Sequence, residues 1–125
     1  MEIIYEVVQG WPEYGPLQVT VPSMTMKIPI SPDTARRRAN GYLGMHVGLL
    51  LGTSDPQLVV GNKPFWKLSV NLHLPNRGYV GQVGTIKVDA TTGTVIPLAT
   101  AAIQHFQERA HGLIIHFAPA AEPGI

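Results

Sequence analysis

Apolar and polar residues alternate most regularly along residues 64–74. Successive side chains of a β-strand point to opposite faces of its sheet. This segment is therefore predicted to be a strand with an apolar side buried under a helix and a polar side facing water. The apolar side consists of Trp66, Leu68, Val70, Leu72 and Leu74. The other side, which we term the polar strand face, consists of Lys67, Ser69, Asn71 and His73.

A helical pattern precedes this strand, from Ser31 to about Leu51. Ser31 suits the N-cap, Pro32 the first helical position, and Asp33 the positive end of the helix dipole. Gly52 and Asp55-Pro56 are predicted to end the helix. Steps of three and four residues place one set of side chains on its buried face. These are Ala35, Ala39, Tyr42, Leu43, His46 and Leu50.

A returning strand is predicted at Tyr79–Val88, after a hairpin turn at residues 75–78. Gly81 and Gly84 interrupt this strand, which indicates a bulge or a close neighbour. The segment Asp89–Gly93 is predicted to be a tight turn, in which the aspartate side chain accepts hydrogen bonds from backbone N–H groups.

The first thirty residues are predicted to form strands at Ile3–Val8, at Leu17–Val21 and along Met24–Ile30. Pro29 limits the last of these to an edge strand or an extended arm, because proline cannot donate to a β-ladder. Such an arm either packs on its own domain or lies across another subunit, and the sequence leaves both interpretations open.

A second helix is predicted from Pro97 to about Ala110, with Gly112 as its end, so that it occupies residues 97–112. Leu113–Phe117 is predicted to be a short late strand, and the Ala- and Pro-rich tail at 118–125 is expected to be mobile. The pattern as a whole predicts a single α+β domain over residues 1–125. In it, one long helix packs on an antiparallel sheet and a second helix follows at the C-terminal end.

Composition adds few constraints to this picture. The chain has 125 residues, of which 45% are hydrophobic and only 14% are charged, and low charge favours self-association as a homodimer. A net charge of +1 gives no general attraction to nucleic acid or anionic lipid. The absence of cysteine excludes disulfides and thiolate chemistry. Because neither an export signal nor a membrane span is recognisable, a cytoplasmic protein without a membrane partner is predicted.

The predicted first helix carries a stripe of glycines at Gly41, Gly44, Gly48 and Gly52. Each internal glycine costs about 1 kcal/mol relative to alanine in a helix, so close backbone approach should offset the cost. One interpretation is tight packing of the helix on its own sheet. The other is a helix–helix contact across a dimer at Gly41, Gly44 and Gly48. Fraying of the helix near its end is a third.

Two segments resemble the PepSY-type domain family. The helix start Ser31-Pro32-Asp33-Thr34-Ala35, followed by Ala39, is similar to that family's S-x-[DE]-x-A-x-x-x-A pattern. The strand and turn at residues 84–95 are similar to its closing V-D-A-x-T-G-x-V pattern, and a tryptophan-bearing strand lies between them. The resemblance covers residues 31–96. It implies a helix packed on antiparallel strands, acting as a non-catalytic interaction or inhibitory module.

Residues suited to catalysis or metal binding do not form a recognised motif. The chain has five histidines and lacks H-x-x-x-H, H-E-x-x-H, G-x-S-x-G, Walker and GxGxxG patterns. His46 lies on the apolar helix face and is predicted to be a buried, hydrogen-bonded core residue. The sequence therefore predicts no enzyme, no cofactor and no metal site. An enzyme or ligand carrier would need a deep pocket containing His46 or His73.

Two surfaces are candidates for partner binding. Arg36, Arg37 and Arg38 are a basic cluster at a helix start, where cations oppose the dipole and an anionic partner would relieve the repulsion. A solvated helix face is the plainer interpretation. The polar strand face, above all Lys67, Asn71 and His73, is the second candidate.

The favoured hypothesis is a small non-enzymatic regulatory module that acts through protein–protein contact. The alternative is an antitoxin-like or nucleic-acid-associated dimeric regulator that uses Arg36–Arg38 on phosphate.

Overall fold

The computed structural model describes residues 3–6, 17–21 and 24–117. Four antiparallel strands form one sheet in the order β1-β4-β5-β6, and β2 and β3 form a separate two-stranded sheet. Two helices complete this α+β arrangement. The elements are β1 (Ile3–Glu6), β2 (Leu17–Val21), β3 (Met24–Ile28), α1 (Pro32–His46), β4 (Leu51–Val60), β5 (Pro64–Leu74), β6 (Gly78–Asp89) and α2 (Thr100–Phe117).

The apolar side of β5 is buried, as the alternation predicts. Trp66, Leu68 and Val70 are fully buried, and Leu72 is 1% exposed, whereas Leu74 is only half-buried. These side chains belong to one core with Ala35, Ala39 and Leu43 of α1 and Phe106 of α2. The indole Nε1 of Trp66 donates to the Ile30 carbonyl, 2.8 Å away, which fixes the chain just before α1.

Both helices lie on the same face of the sheet. Val70 is paired with Thr53 on one side and Gly84 on the other, so these three residues point to one face. The Thr53 hydroxyl donates to Asn40 Oδ1 of α1 over 2.8 Å, and Gly84 lies directly under the Phe106 ring of α2. The opposite face of the sheet carries the polar strand face.

The start of α1 follows the predicted capping chemistry. The Ser31 hydroxyl accepts a hydrogen bond from the Thr34 N–H, 3.1 Å away, and Pro32 is the first helical residue. The helix ends at His46, earlier than the predicted Leu51. The N–H groups of Val47 and Gly48 both donate to the Leu43 carbonyl, which closes the last turn.

The strand β4 occupies the segment that the sequence indicated as the end of the first helix, so that prediction is wrong. Gly52 is an ordinary strand residue paired with Asn71. Asp55 and Pro56 stand together opposite Leu68, because the pairing of β4 with β5 passes directly from Ser54 to Gln57. A bulge accommodates proline because the bulged residues leave the regular ladder.

The second helix also differs from its prediction. It begins at Thr100 rather than Pro97 and continues through Gly112 to Phe117, so the late strand predicted at Leu113–Phe117 is instead the end of α2. Leu113 and Ile114 pack against the core, and this packing offsets the cost of an internal glycine. The predicted close neighbours of Gly81 and Gly84 are Leu113 and Phe106 of this helix.

The turns around β6 confirm their predictions. The Asp89 carboxylate accepts from the N–H groups of Thr91 and Thr92, at 2.7 and 3.1 Å, and Gly93 adopts a φ of 78°. The hydrogen bond from the Thr91 side chain, followed by those from the two backbone N–H groups, lowers the pKa of Asp89. The hairpin between β5 and β6 places Gly78 at a φ of 77°.

The three predicted N-terminal strands are present where the structure describes them, but the third stops short of the predicted Ile30. The first strand spans Ile3–Glu6 and pairs with the end of β4, while the remainder of the predicted Ile3–Val8 lies outside the described residues. The third strand ends at Ile28, before Pro29. The tail at 118–125 also lies outside them. Among the described residues, no helix combines the length and apolarity that a membrane span requires.

Candidate functional site

The polar strand face lies in the middle of three strands that present hydroxyl and amide groups. Ser69 of β5 is paired with Ser54 of β4 and with Thr85 of β6. One pair further along, Lys67 faces Gln57 of β4. Side chains opposite each other on antiparallel strands share a face, so these groups form a continuous polar surface opposite the helices.

A strained residue borders this surface. Asp55, in the β4 bulge, has a φ of 53° and is the one non-glycine residue with positive φ in the described part of the chain. It also precedes Pro56, a position at which steric contact with the proline ring favours extended backbone. Such conformations cost on the order of 1–3 kcal/mol, and they concentrate at functional sites.

A chain of hydrogen bonds connects this residue to the sheet interior. Asn71 is only 4% exposed, and its Nδ2 donates to the Ser54 Oγ over 2.6 Å. The Ser54 hydroxyl in turn donates to the Asp55 Oδ2, 3.2 Å away. The sequence placed Asn71 on the wet side of β5. The Asn71 side chain does point to that side of the sheet, but it is buried rather than exposed. Its amide group is enclosed and orients the Ser54 hydroxyl.

A cavity of about 180 Å³ lies beside the bulge. Lys67 and Asp55 contribute one positive and one negative charge to its wall, so it is close to neutral overall. Apart from Leu68, its other lining side chains carry hydroxyls or primary amides, which both donate and accept hydrogen bonds. The lining residues are Asp55, Gln57, Lys67, Leu68, Ser69, Gln82 and Thr85.

The end of the polar strand face carries aromatic rings. His73 is exposed, and its ring meets the Tyr79 ring edge-on at a centroid distance of 5.9 Å. At the other end, the Lys87 ammonium lies 4.9 Å from the centre of the Phe65 ring. The three predicted residues of this face are Lys67, Asn71 and His73. Of these three, only Lys67 lines the cavity beside the bulge.

Two of the three arginines of the basic cluster share one carboxylate in their own helix turn, so the cluster keeps a net positive charge. Arg36 contacts the Asp33 carboxylate at 2.8 Å, and Arg37 contacts it at 3.3 Å. The hydrogen bond from Arg36, helped by the charges of both arginines, lowers the pKa of Asp33. All three arginines are exposed, so Arg38 is the remaining cation that faces water without an ion pair to Asp33.

The histidines do not form a site. His46 is exposed, and its ring centre lies 4.6 Å from that of Tyr42 at a tilt of 42°, so the prediction of a buried core histidine is wrong. It falls in the last turn of α1, beyond Leu43, which is the last helix residue that the core covers. In the part of the chain that the structure describes, no three histidine or acidic side chains come together as metal ligands.

The glycine stripe does not pack tightly on the sheet, so that interpretation is wrong. A Cβ at Gly41 would meet nothing within 4 Å, and those at Gly44 and Gly48 would touch only leucine side chains at 3.8 and 3.9 Å. Gly48 and Gly52 also lie outside the helix. A role of Gly41, Gly44 and Gly48 in a dimer stays a prediction.

An apolar surface that the sequence pattern did not indicate lies between the ends of the two helices. We term it the apolar end, and its centre is the run Leu49-Leu50-Leu51, which leads from α1 into the first residue of β4. Leu49 is 88% exposed and Leu50 is 41% exposed. The prediction that Leu50 lies on the buried helix face is therefore wrong, since it lies past the end of the helix. Three consecutive leucines beside a glycine were the available signal.

Comparison of the chain with protein-family models, with curated proteins and with solved structures finds no match.

Proposed function

We propose that this chain is a non-enzymatic interaction module that binds an extended, polar segment of a partner protein across the polar strand face. The observation that carries the proposal is Asp55, held at a φ of 53° in the β4 bulge beside Lys67 and Ser69. A bulge re-aims the side chains next to it, and here it brings a carboxylate to the rim of a cavity. A regular strand without the bulge would not bring a carboxylate to this position.

The size of the cavity favours a protein segment over a free metabolite. Pockets for small molecules usually enclose about 300–1,000 Å³. The cavity beside the bulge measures about 180 Å³, which is room for one side chain or a single polar group. The hydroxyls and amides of three strands surround the cavity and extend the polar surface beyond it. A partner segment that lies across the strands would contact both the cavity and this surrounding surface.

The charges indicate what the segment should contain. Lys67 and Asp55 both line the cavity beside the bulge, so a partner group that both donates and accepts hydrogen bonds satisfies both. Ser54 is held by the buried Asn71, so its hydroxyl is oriented before a partner arrives. Such preorganisation reduces the entropic cost of binding.

The resemblance to PepSY-type domains supports the same class of function. It lies on the capped start of α1 and on the turn that begins at Asp89. A non-catalytic interaction or inhibitory module agrees with the small volume of the cavity beside the bulge. A cytoplasmic location and a homodimer remain predictions.

A random peptide library displayed on phage tests the proposal. Peptides enriched on the wild-type protein should bind at least tenfold more weakly to Ser69→Arg, which fills the cavity, and to Asp55→Gly. Glycine adopts positive φ without strain, so Asp55→Gly should melt at an equal or higher temperature while it loses binding. Met45→Arg, at a position of α1 that is 82% exposed and lies on the helix side of the sheet, is the matched control.

Two results would refute the proposed surface. One is the enrichment of peptides whose affinity is the same for wild type, Ser69→Arg and Asp55→Gly. The other is a library that yields no binder at all. A loss of binding that accompanies a lower melting temperature in Asp55→Gly would contradict the assigned strain, since the fold would then depend on aspartate there.

A further inference from the structure

We infer that the apolar end is the surface through which two copies of this chain associate, with the Leu49-Leu50-Leu51 run near a two-fold axis. The apolar end shares only His73 with the polar strand face, and none of its residues lines the cavity beside the bulge. Association through the apolar end is therefore tested independently of the proposed peptide binding.

The exposure of the leucines is the first observation. A typical exposed leucine lies alone, but Leu49 and Leu50 lie next to each other at the meeting point of two shallow apolar grooves. One groove continues toward Ala110 and Ile114 of α2, and its volume is about 220 Å³. Contiguous exposed apolar surface in a folded protein marks an interaction site.

The second groove continues from the same leucines toward Leu74 and Pro75 of the β5–β6 hairpin, with a volume of about 260 Å³. Ten residues line the first groove and seven line the second, and Leu49, Leu50 and Leu51 belong to both, which gives fourteen in all. A standard interface takes about 20–30 residues from each partner, so these fourteen would form its centre with a polar rim around them.

The charge of this surface identifies the occupant as a second copy. Neither groove is lined by aspartate, glutamate, lysine or arginine, and its polar groups are His73, His111 and Gln107. In a two-fold interface each patch meets itself, so a charged patch would place like charges together whereas a neutral one does not. A net charge of +1 also leaves little repulsion between copies.

A hydrogen bond fixes the edge of the first groove before two copies of the chain associate. The Gln107 side chain of α2 donates to the Val47 carbonyl over 3.2 Å, which ties the end of α1 to α2 across the first groove. This bond satisfies one carbonyl that the helix end would otherwise leave to solvent. The leucine run therefore follows a segment whose position a hydrogen bond fixes, and a second copy would bind a largely preformed surface.

Light scattering and analytical ultracentrifugation over a range of concentrations test the inference on the full chain. Wild type should show a reversible monomer–dimer equilibrium. Leu49→Glu should weaken it by about 100-fold or more, because burial of one leucine changes an association constant about tenfold and each substitution counts twice in a two-fold interface. Ile96→Glu, which changes an exposed aliphatic residue elsewhere, should dimerise like wild type.

Cross-linking locates the axis. The chain lacks cysteine, so Leu49→Cys introduces a single thiol, and oxidation should convert it to a covalent dimer. Ile96→Cys should stay monomeric under the same conditions. Circular dichroism of every variant should match wild type, since both positions are exposed in the single chain.

Three results would overturn the inference. These are a wild type that stays monomeric at high concentration, a dimer that Leu49→Glu and Ile96→Glu weaken equally, and a Leu49→Cys dimer that fails to cross-link. None of them bears on peptide binding at the polar strand face. A variant that unfolds would contradict the assigned exposure of Leu49.

Discussion

Replacing Gly84 by alanine should separate α2 from the sheet more effectively than any surface change. Gly84 lies in β6, and an added Cβ would overlap the ring atoms of Phe106. Phe106 is the buried anchor of α2, and it is only 5% exposed. Neither the strand backbone nor a ring enclosed by the core can move away freely, so the helix must shift.

The expected magnitude follows from two opposing effects. Overpacking of a core costs typically about 1–3 kcal/mol. Loss of backbone freedom in the unfolded chain returns about 0.4–1 kcal/mol when glycine becomes alanine. The net change for Gly84→Ala should be a loss of about 1–2 kcal/mol in the free energy of unfolding, or roughly 4–8 °C in melting temperature.

Urea unfolding followed by circular dichroism measures this change, and two further variants control it. Gly41→Ala should stabilise the protein by up to about 1 kcal/mol, because Gly41 is an exposed helix residue with no neighbour to clash. In Gly84→Ala/Phe106→Leu, the smaller side chain should make the combined loss less than the sum of the two single losses. Additive losses, or a neutral Gly84→Ala, would refute the close contact.

Three more changes test other parts of the structure. Asp89→Ala should lower the free energy of unfolding by about 1–3 kcal/mol at neutral pH. Folding lowers the Asp89 pKa below its ordinary value of 3.8, so the stability that the Asp89 carboxylate contributes is present above that pH. It should be lost as the pH falls through the pKa of Asp89 in the folded protein. Urea unfolding at several pH values measures this loss. Asn40→Ala should cost about 1–3 kcal/mol in the same assay, because it leaves the buried Thr53 N–H without its acceptor, while the Thr53 hydroxyl keeps only the Arg36 carbonyl at 3.3 Å. If the chain instead binds nucleic acid through Arg36–Arg38, its affinity for duplex DNA should fall steeply as the salt concentration rises, and binding should vanish in the triple alanine variant. DNA binding that does not depend on salt, or no DNA binding at all, would contradict that alternative.

The parts of the fold that local chemistry determines were predictable from the sequence. The Ser31 cap, the alternation from Trp66 to Leu72 and the Asp89 turn each depend on residues close together in the chain. Glycines in β6 also indicated close neighbours, although they could not identify Phe106 and Leu113 as those neighbours. Local signals therefore gave the α+β class and one face of the core.

The parts that depend on distant contacts were not predictable in the same way. Gly52, Asp55 and Pro56 all favour a chain break, and only pairing with β5 makes them a bulged strand. Gly112 favours a helix end, yet the packing of Leu113 carries α2 past it. The same holds for the site, where Lys67 and Ser69 were visible in the pattern and the contribution of Asp55 was not.

A nuclear magnetic resonance titration of the ¹⁵N-labelled protein with an enriched peptide tests the central claim most directly. Backbone amides at Ser54, Asp55, Lys67 and Ser69 should shift as the peptide is added, while amides of α1 and of the apolar end should not. Shifts concentrated on α1, on α2 or on the Leu49-Leu50-Leu51 run would contradict the account, because they would place the partner away from the cavity beside the bulge.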